Sequence, residues 1–140
     1  MTARGAPEPA TVRGGCLCGR VRYRIAAPLA DIAHCHCGMC RRATGGIVTT
    51  WVTVPLDAFA WEGEAPRAYD SSAHTRRWFC GGCGAQLALH TQRAPAGIDV
   101  TVATLDAPQD HPATRHIWYA DRLPWLHLDP ELPHEPGETL

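Results

Sequence analysis

Apolar residues in this chain alternate with polar ones in short bursts and never recur at helical spacing over a long stretch. Arg20–Ile25 is the clearest burst. Val21, Tyr23 and Ile25 fall on one face and the arginines on the other, the period-two pattern of a half-buried strand. Ile47–Val54 is β-branched almost throughout, bounded by Gly45-Gly46 and Pro55, and predicts a well-buried strand. Leu87 and Leu89 are expected on one face of a short strand after Cys83. Ile98–Val102 alternates again, and Ile117-Trp118-Tyr119 predicts a further strand before Pro124. Helical signals are confined to Cys40–Thr44 and Leu56–Phe59, a turn or two each, and there is no internal repeat. With 13 Gly and 12 Pro scattered through 140 residues, many short elements joined by turns are expected. The predicted architecture is mainly β: short antiparallel strands in two packed sheets. Met1–Gly15, with Pro7 and Pro9, reads as a frayed leader. Pro130, Pro133 and Pro136 mark a loop-like tail after Asp129.

Composition narrows the setting. Hydrophobic content of 45% and charged content of 19% describe one globular domain with a sizeable core. A net charge of −1 and a pI near 6.7 give no reason to expect nucleic acid or an anionic membrane as partner. No apolar run approaches the roughly 18 residues of a membrane span, and the N-terminus lacks the apolar core of a secretory signal. All 13 basic residues are arginine, which removes lysine Schiff-base chemistry. An odd number of cysteines, 7, clustered and without a secretion signal, points to metal ligands rather than disulfides and to a cytoplasmic protein.

Those cysteines fall into three groups: Cys16-Leu17-Cys18, Cys35-His36-Cys37-Gly38-Met39-Cys40, and Cys80-Gly81-Gly82-Cys83. Spacings of C-x-C and C-x-x-C let two thiolates reach one ion from a single turn. The outer groups, Cys16, Cys18, Cys80 and Cys83, supply the four donors of a closed structural zinc site. That ion would staple the first strand to a late hairpin. The competing readings are reduced, unmetallated cysteines, two unrelated pairs and, for Cys80/Cys83, a dithiol redox motif. No βαβ pattern surrounds that pair, which weighs against redox chemistry.

The middle group supplies three donors, Cys35, Cys37 and Cys40, and three protein ligands are the mark of a catalytic zinc. In an extended Cys35-His36-Cys37 segment the two thiols share a face, while His34 and His36 point away. A fourth ligand from His74, His90, His111 or His116 would make this site structural instead. Three thiolates around a dication lower its Lewis acidity, so the centre suits a further soft thiolate better than the generation of hydroxide. Arg41 and Arg42 follow at once and are candidates to offset the anionic site and to bind an acidic thiol substrate. Trp51, Trp118 and Trp125 are candidate pocket walls. No general base stands out, with His34 and His36 the nearest candidates.

Gly14-Gly15-Cys16-Leu17-Cys18-Gly19 with Val21-Arg22-Tyr23, the Cys35–Arg42 segment, Phe79–Gly84, His116-Ile117-Trp118 and Pro124-Trp125-Leu126 together resemble the glutathione-dependent formaldehyde-activating enzyme family, which also includes the centromere protein V-like proteins. The resemblance spans Gly14 to Leu128. It implies a domain at 14–128, between a flexible leader at 1–13 and a Pro-rich tail at 129–140. It also implies a β-tent zinc-binding fold with two zinc ions per chain: a structural one on Cys16, Cys18, Cys80 and Cys83, and a catalytic one on Cys35, Cys37 and Cys40. The activity implied is a carbon–sulfur lyase reaction on a thiol–aldehyde adduct such as S-hydroxymethylglutathione. The centromere-protein side of the resemblance keeps a second reading in view, a non-catalytic zinc-stabilised binding module.

Overall fold

The computed structural model describes residues 11–140. Ten short strands form two sheets. The smaller has the order β1 (Val12–Gly15), β2 (Val21–Ile25), β5 (Phe59–Gly63), antiparallel throughout. The larger runs β10 (Arg115–Ile117), β3 (Asp31–Cys35), β4 (Thr49–Pro55), β9 (Gly97–Thr101), β8 (Gln86–Thr91), β7 (Thr75–Phe79), β6 (Arg67–Asp70). All its pairings are antiparallel except β10 on β3. One α-helix, α1 (Gly38–Thr44), follows β3, and single 3-10 turns cover Leu56–Ala58, Val102–Thr104, Pro108–Asp110 and Tyr119–Asp121.

The alternation in β2 works as its pattern predicts. Val21, Tyr23 and Ile25 are buried between the sheets with Ile32, Val52, Val54, Ile98 and Val100 of the larger one. Tyr23 reaches furthest, its hydroxyl 2.8 Å from Thr104 Oγ1. A Cβ at Gly14 would collide with that ring and with the Thr104 carbonyl, so glycine is the residue that lets β1 lie beside it.

β4 is buried on both sides. Val52 and Val54 enter the core between the sheets, while Trp51 packs on the opposite face with Ala33, Cys35, Cys40 and Ile117. The larger sheet therefore carries a second, smaller apolar cluster on the side away from the smaller sheet.

Four expectations are corrected. The segment expected to fray becomes strand from Val12, because Val12 packs on the core and the β1 backbone pairs with β2; residues 1–10 lie outside the described part. The strand expected from Ile47 begins at Thr49, since α1 ends at the left-handed Gly45 (φ 73°) and Ile47 remains exposed. Leu87 and Leu89 do not share a face. Register passes from Trp78↔Ala88 to Phe79↔Gln86, which makes Leu87 the extra residue of a β-bulge. Leu87 and Ala88 both enter the main core as a result, while Leu89 packs on the smaller cluster. The late strand ends at Ile117 because Trp118 turns left-handed (φ 52°).

Residues 129–140 have no regular strand or helix but are tied to the rest of the chain. The His116 amide donates to the Pro133 carbonyl (2.9 Å), the Glu135 amide to the His116 carbonyl (3.1 Å) and the Trp118 amide to the Gly137 carbonyl (3.0 Å). This run brings Glu138 to the outer face of the larger sheet. No helix among the described residues is long and apolar enough to cross a membrane.

Candidate metal centres

The turn between β1 and β2 carries Cys16 and Cys18, and the turn between β7 and β8 carries Cys80 and Cys83. Their four sulfurs all lie within 4.8 Å of one another. Gly19 (φ 81°) and Gly84 (φ 80°) adopt left-handed conformations that curl each turn back on its sulfurs. The Cys16 sulfur accepts from the Val21 amide (3.3 Å), and the Cys80 sulfur from the Gly82 and Cys83 amides (3.3 and 3.4 Å). Amides of Ala85 and Cys18 hold the Cys83 thiol down at about 6. Sulfur–sulfur distances are 3.5 Å for Cys16–Cys18 and 3.7 Å for Cys18–Cys80. A tetrahedron with metal–sulfur bonds of about 2.3 Å has edges of about 3.8 Å. The donor set and its spacing fit one thiophilic cation.

The second group sits where β3 passes into α1. Cys35 ends the strand, Cys37 caps the helix by accepting from the Cys40 amide (3.2 Å), and Cys40 returns one turn later. Cys35 and Cys40 sulfurs are 3.7 Å apart, again a tetrahedral edge, and all three sulfurs lie within 4.8 Å of one another. Hydrogen bonds from Cys35 and Cys40 hold the Cys37 thiol down at about 3, while the same crowding drives Cys35 far up. Three thiolates this close repel one another, a repulsion that a cation between them would offset. Among the described residues no histidine or carboxylate joins the three sulfurs.

The histidines have other work. His116 Nε2 is 2.9 Å from the Asp129 carbonyl oxygen, so it donates there and leaves Nδ1 to accept from His36 Nε2 (2.8 Å). His34 spans Thr50 (2.7 Å) and the Asp129 carboxylate (2.9 Å). His90 bonds the Pro95 carbonyl (3.0 Å), and His111 lines a different hollow. His34 and His36, the nearest candidates for a base, pack at a tilt against the His116 ring and lie outside the walls of the cavity described next.

A cavity of about 750 Å³ opens beside Cys35, Cys37 and Cys40. Trp51 and Trp118 line it as expected. Trp125 does not, being 62% exposed elsewhere. Of the two expected arginines, Arg42 lines the cavity without a polar partner among the described residues. Arg41 also lines it but is engaged, donating to the His36 carbonyl and to the Asp121 carbonyl (2.9 Å) and so tying α1 to the turn after β10. His74 lies in the wall, apart from the sulfurs.

The floor is one row of side chains across the larger sheet. Register places Thr53 opposite Asp99, Asp99 opposite Leu89, and Leu89 opposite Arg77. Residues directly opposite share a face, so Asp99 and Arg77 both stand in the cavity with Leu89 between them. Arg77 is buried and directs Nη1 and Nη2 to Cys40 sulfur at 3.7 and 3.6 Å. Burial pushes the Asp99 carboxyl up to about 6 despite its bond from Thr53 (2.6 Å), and burial raises Glu138, which lines the same cavity, to about 7.

Sequence reasoning overlooked Arg77, Asp99 and Glu138. For Arg77 a signal existed: in a two-faced strand, adjacent Arg76 and Arg77 cannot both face water. Asp99 alternates with core residues as any solvent-facing residue would, and nothing local marks the polar face of β9 as a cavity floor.

The family model described as glutathione-dependent formaldehyde-activating enzyme matches residues 11–121. A protein of Halomonas elongata that bears this enzyme's name provisionally is 24% identical over 127 residues, covering 84% of this chain and 81% of its own. A crystal structure of a Rhodobacter sphaeroides protein, solved as a structural genomics target, is similar with a TM-score of 0.59 and 28% identity, over 70% of this chain and 93% of that one. With the match running through all three cysteine groups, the chain belongs to the glutathione-dependent formaldehyde-activating enzyme family.

Proposed function

We propose that this protein is a zinc-dependent carbon–sulfur lyase acting on a thiol–aldehyde adduct such as S-hydroxymethylglutathione. The observation that carries the reading is that Cys35, Cys37 and Cys40 supply three donors beside a cavity of about 750 Å³. Tetrahedral zinc takes four ligands, and catalytic zinc sites characteristically draw three from the protein. Cys16, Cys18, Cys80 and Cys83 are the complete set of a structural zinc, giving two ions per chain. Clustered thiols of this kind persist reduced in the cytoplasm, where we place the protein.

A zinc ion on Cys35, Cys37 and Cys40 supplies stabilisation of the thiolate form of the substrate sulfur. The remaining chemistry is proton movement and positioning by the chain. In the cleavage direction a carboxylate takes the proton from the adduct's hydroxyl. As the C=O bond forms, the C–S bond breaks and its electron pair leaves with sulfur, giving formaldehyde and a thiolate. In synthesis the same carboxyl returns the proton to the oxygen. Asp99 and Glu138, raised to about 6 and about 7, populate both protonation states near neutral pH, as a group serving both directions requires. Trp51, Trp118 and Leu89 exclude water from the reacting carbon, and Arg42 offers a cation to a substrate carboxylate.

Cobalt substitution followed by titration with thiols tests the reading. Two metals per chain are expected, with only the spectrum of the ion on Cys35, Cys37 and Cys40 responding to glutathione or another small thiol. Exchange spectroscopy of formaldehyde with glutathione should then show faster exchange when metal-loaded protein is added. One metal per chain, or two spectra that ignore thiols, would end the lyase reading and favour a non-catalytic zinc-stabilised module. A response to simple thiols without preference for glutathione would keep the chemistry and discard that substrate.

A further inference from the structure

Arg77 is a buried cation whose charge is answered by sulfur. Its side chain is 4% exposed, and it forms no ion pair with a carboxylate among the described residues. Nε donates to Ser71 Oγ (3.1 Å), which leaves both terminal nitrogens free to converge on Cys40 sulfur at 3.7 and 3.6 Å. The carboxylate in the same row of the sheet, Asp99, is two strands away with Leu89 between, about 10 Å at ordinary strand spacing. A buried guanidinium without a counter-charge is strongly disfavoured, and the cysteine group that its terminal nitrogens face is the source of negative charge in contact with it.

Charge counting shows what the contact accomplishes. Three thiolates and a divalent cation sum to −1, and Arg77 brings the buried centre to zero. An entering substrate thiolate then takes it to −1; without Arg77 the same step would reach −2 in a low-dielectric site. The four-cysteine cluster is handled differently. Three backbone amides bond its sulfurs, against one at the inner centre, and Cys18 is exposed, so solvent screens the charge.

We propose that Arg77 is a positioning residue that neutralises the three-cysteine centre, and that this neutrality is what allows the centre to accept a further thiolate. The proposal rests on the reading that Cys35, Cys37 and Cys40 hold a divalent metal. It assigns to Arg77 the charge-offsetting role that adjacency in sequence suggested for Arg41 and Arg42.

The test uses the cobalt-loaded full chain as wild type, Arg77→Gln and Arg77→Lys, titrated separately with 2-mercaptoethanol and with imidazole. Arg77→Gln should weaken thiolate entry at least about tenfold, leave neutral imidazole within about twofold, and be partly rescued by Arg77→Lys. Equal loss of both ligands would mean a collapsed site, and unchanged thiolate affinity would mean the charge is irrelevant; either overturns the proposal. A chelator competition supplies a readout that needs no substrate. Arg77→Gln should release metal from the three-cysteine centre at least about tenfold more readily than wild type, while the four-cysteine metal, an internal control for folding, stays put. If wild type binds no thiolate, the lyase reading fails while the chelator result still decides the role of Arg77. Equal metal retention in all three proteins overturns it.

Discussion

The two cysteine clusters are made of the same atoms at the same spacing, and their surroundings differ in every respect that matters for chemistry. The outer one joins two surface turns, β1–β2 to β7–β8, and meets its sulfurs with backbone amides. Its four donors are enough to complete a tetrahedral site, and its position links the smaller sheet to the larger. The inner one is assembled within a single stretch, Cys35 to Cys40, so it closes no long loop. It faces a cavity and is backed by a buried arginine. Donor number and loop span are the grounds for proposing stability as the role of the first cluster; cavity and charge are the grounds for proposing reactivity as the role of the second.

The largest effect should come from the outer cluster. Zinc sites in small zinc peptides contribute about 10–16 kcal/mol, more than the net stability of most domains. Cys80→Ser is therefore expected to lower the melting temperature by roughly 20 °C or more, read by circular dichroism. Cys37→Ser should behave oppositely. It should keep the far-ultraviolet spectrum, melt within roughly 5 °C of wild type, fall from two bound metals to one, and lose at least about a hundredfold in formaldehyde–glutathione exchange. A variant of Cys80 that melts normally but is inactive would reverse the roles of the two clusters.

A smaller effect sharpens the inner site. If Asp99 or Glu138 takes the hydroxyl proton, the cleavage rate should rise with pH through about 6 to about 7, as the carboxyl gives up its own proton. Asp99→Asn or Glu138→Gln should reduce the rate about a hundredfold, and the responsible variant should lose that acid limb. Stability moves the other way. Both carboxyls bind protons more tightly in the folded chain, so their contribution is fully present below the ordinary carboxylate pKa and is lost as pH rises through about 6 and about 7. Asp99→Asn, which retains a partner for Thr53, is expected to gain thermal stability above pH 7 and to show no gain near pH 4. A variant that loses activity without any change in either profile would remove Asp99 from proton transfer.

The smallest effect belongs to the cavity wall. Arg42→Ala should raise KM for an acidic thiol about threefold, leave kcat nearly unchanged, and make no difference for an uncharged thiol or at high salt. A fall in kcat would place Arg42 closer to the reacting atoms than the wall.

The strands were legible where one face meets a core and the other meets water, as in β2, where Val21, Tyr23 and Ile25 announce themselves. Legibility failed in two strands of the larger sheet, β8 and β9. In β8 the bulge at Leu87 interrupts the period, and in β9 the polar phase of the alternation, Asp99, faces a cavity rather than solvent. Strand ends were misplaced at Ile47 and Trp118, where a left-handed residue and the contacts around it, not propensity, stop the strand.

The sequence by itself determined both cysteine clusters that could hold a metal, because the convergence of thiols at C-x-C and C-x-x-C spacing is a local property of a turn: the spacing carries the geometry. It also determined the β-rich class, since alternation needs only nearest neighbours. Only the tertiary structure decided what surrounds the inner cluster. Arg77, Asp99 and Glu138 come from β7, β9 and the segment after Asp129, and nothing in their local sequence records the sheet register that sets Arg77 opposite Leu89 and Leu89 opposite Asp99. Ligand identity is written along the chain, whereas the charge and polarity of the cavity are written across it, through pairings between residues far apart in sequence.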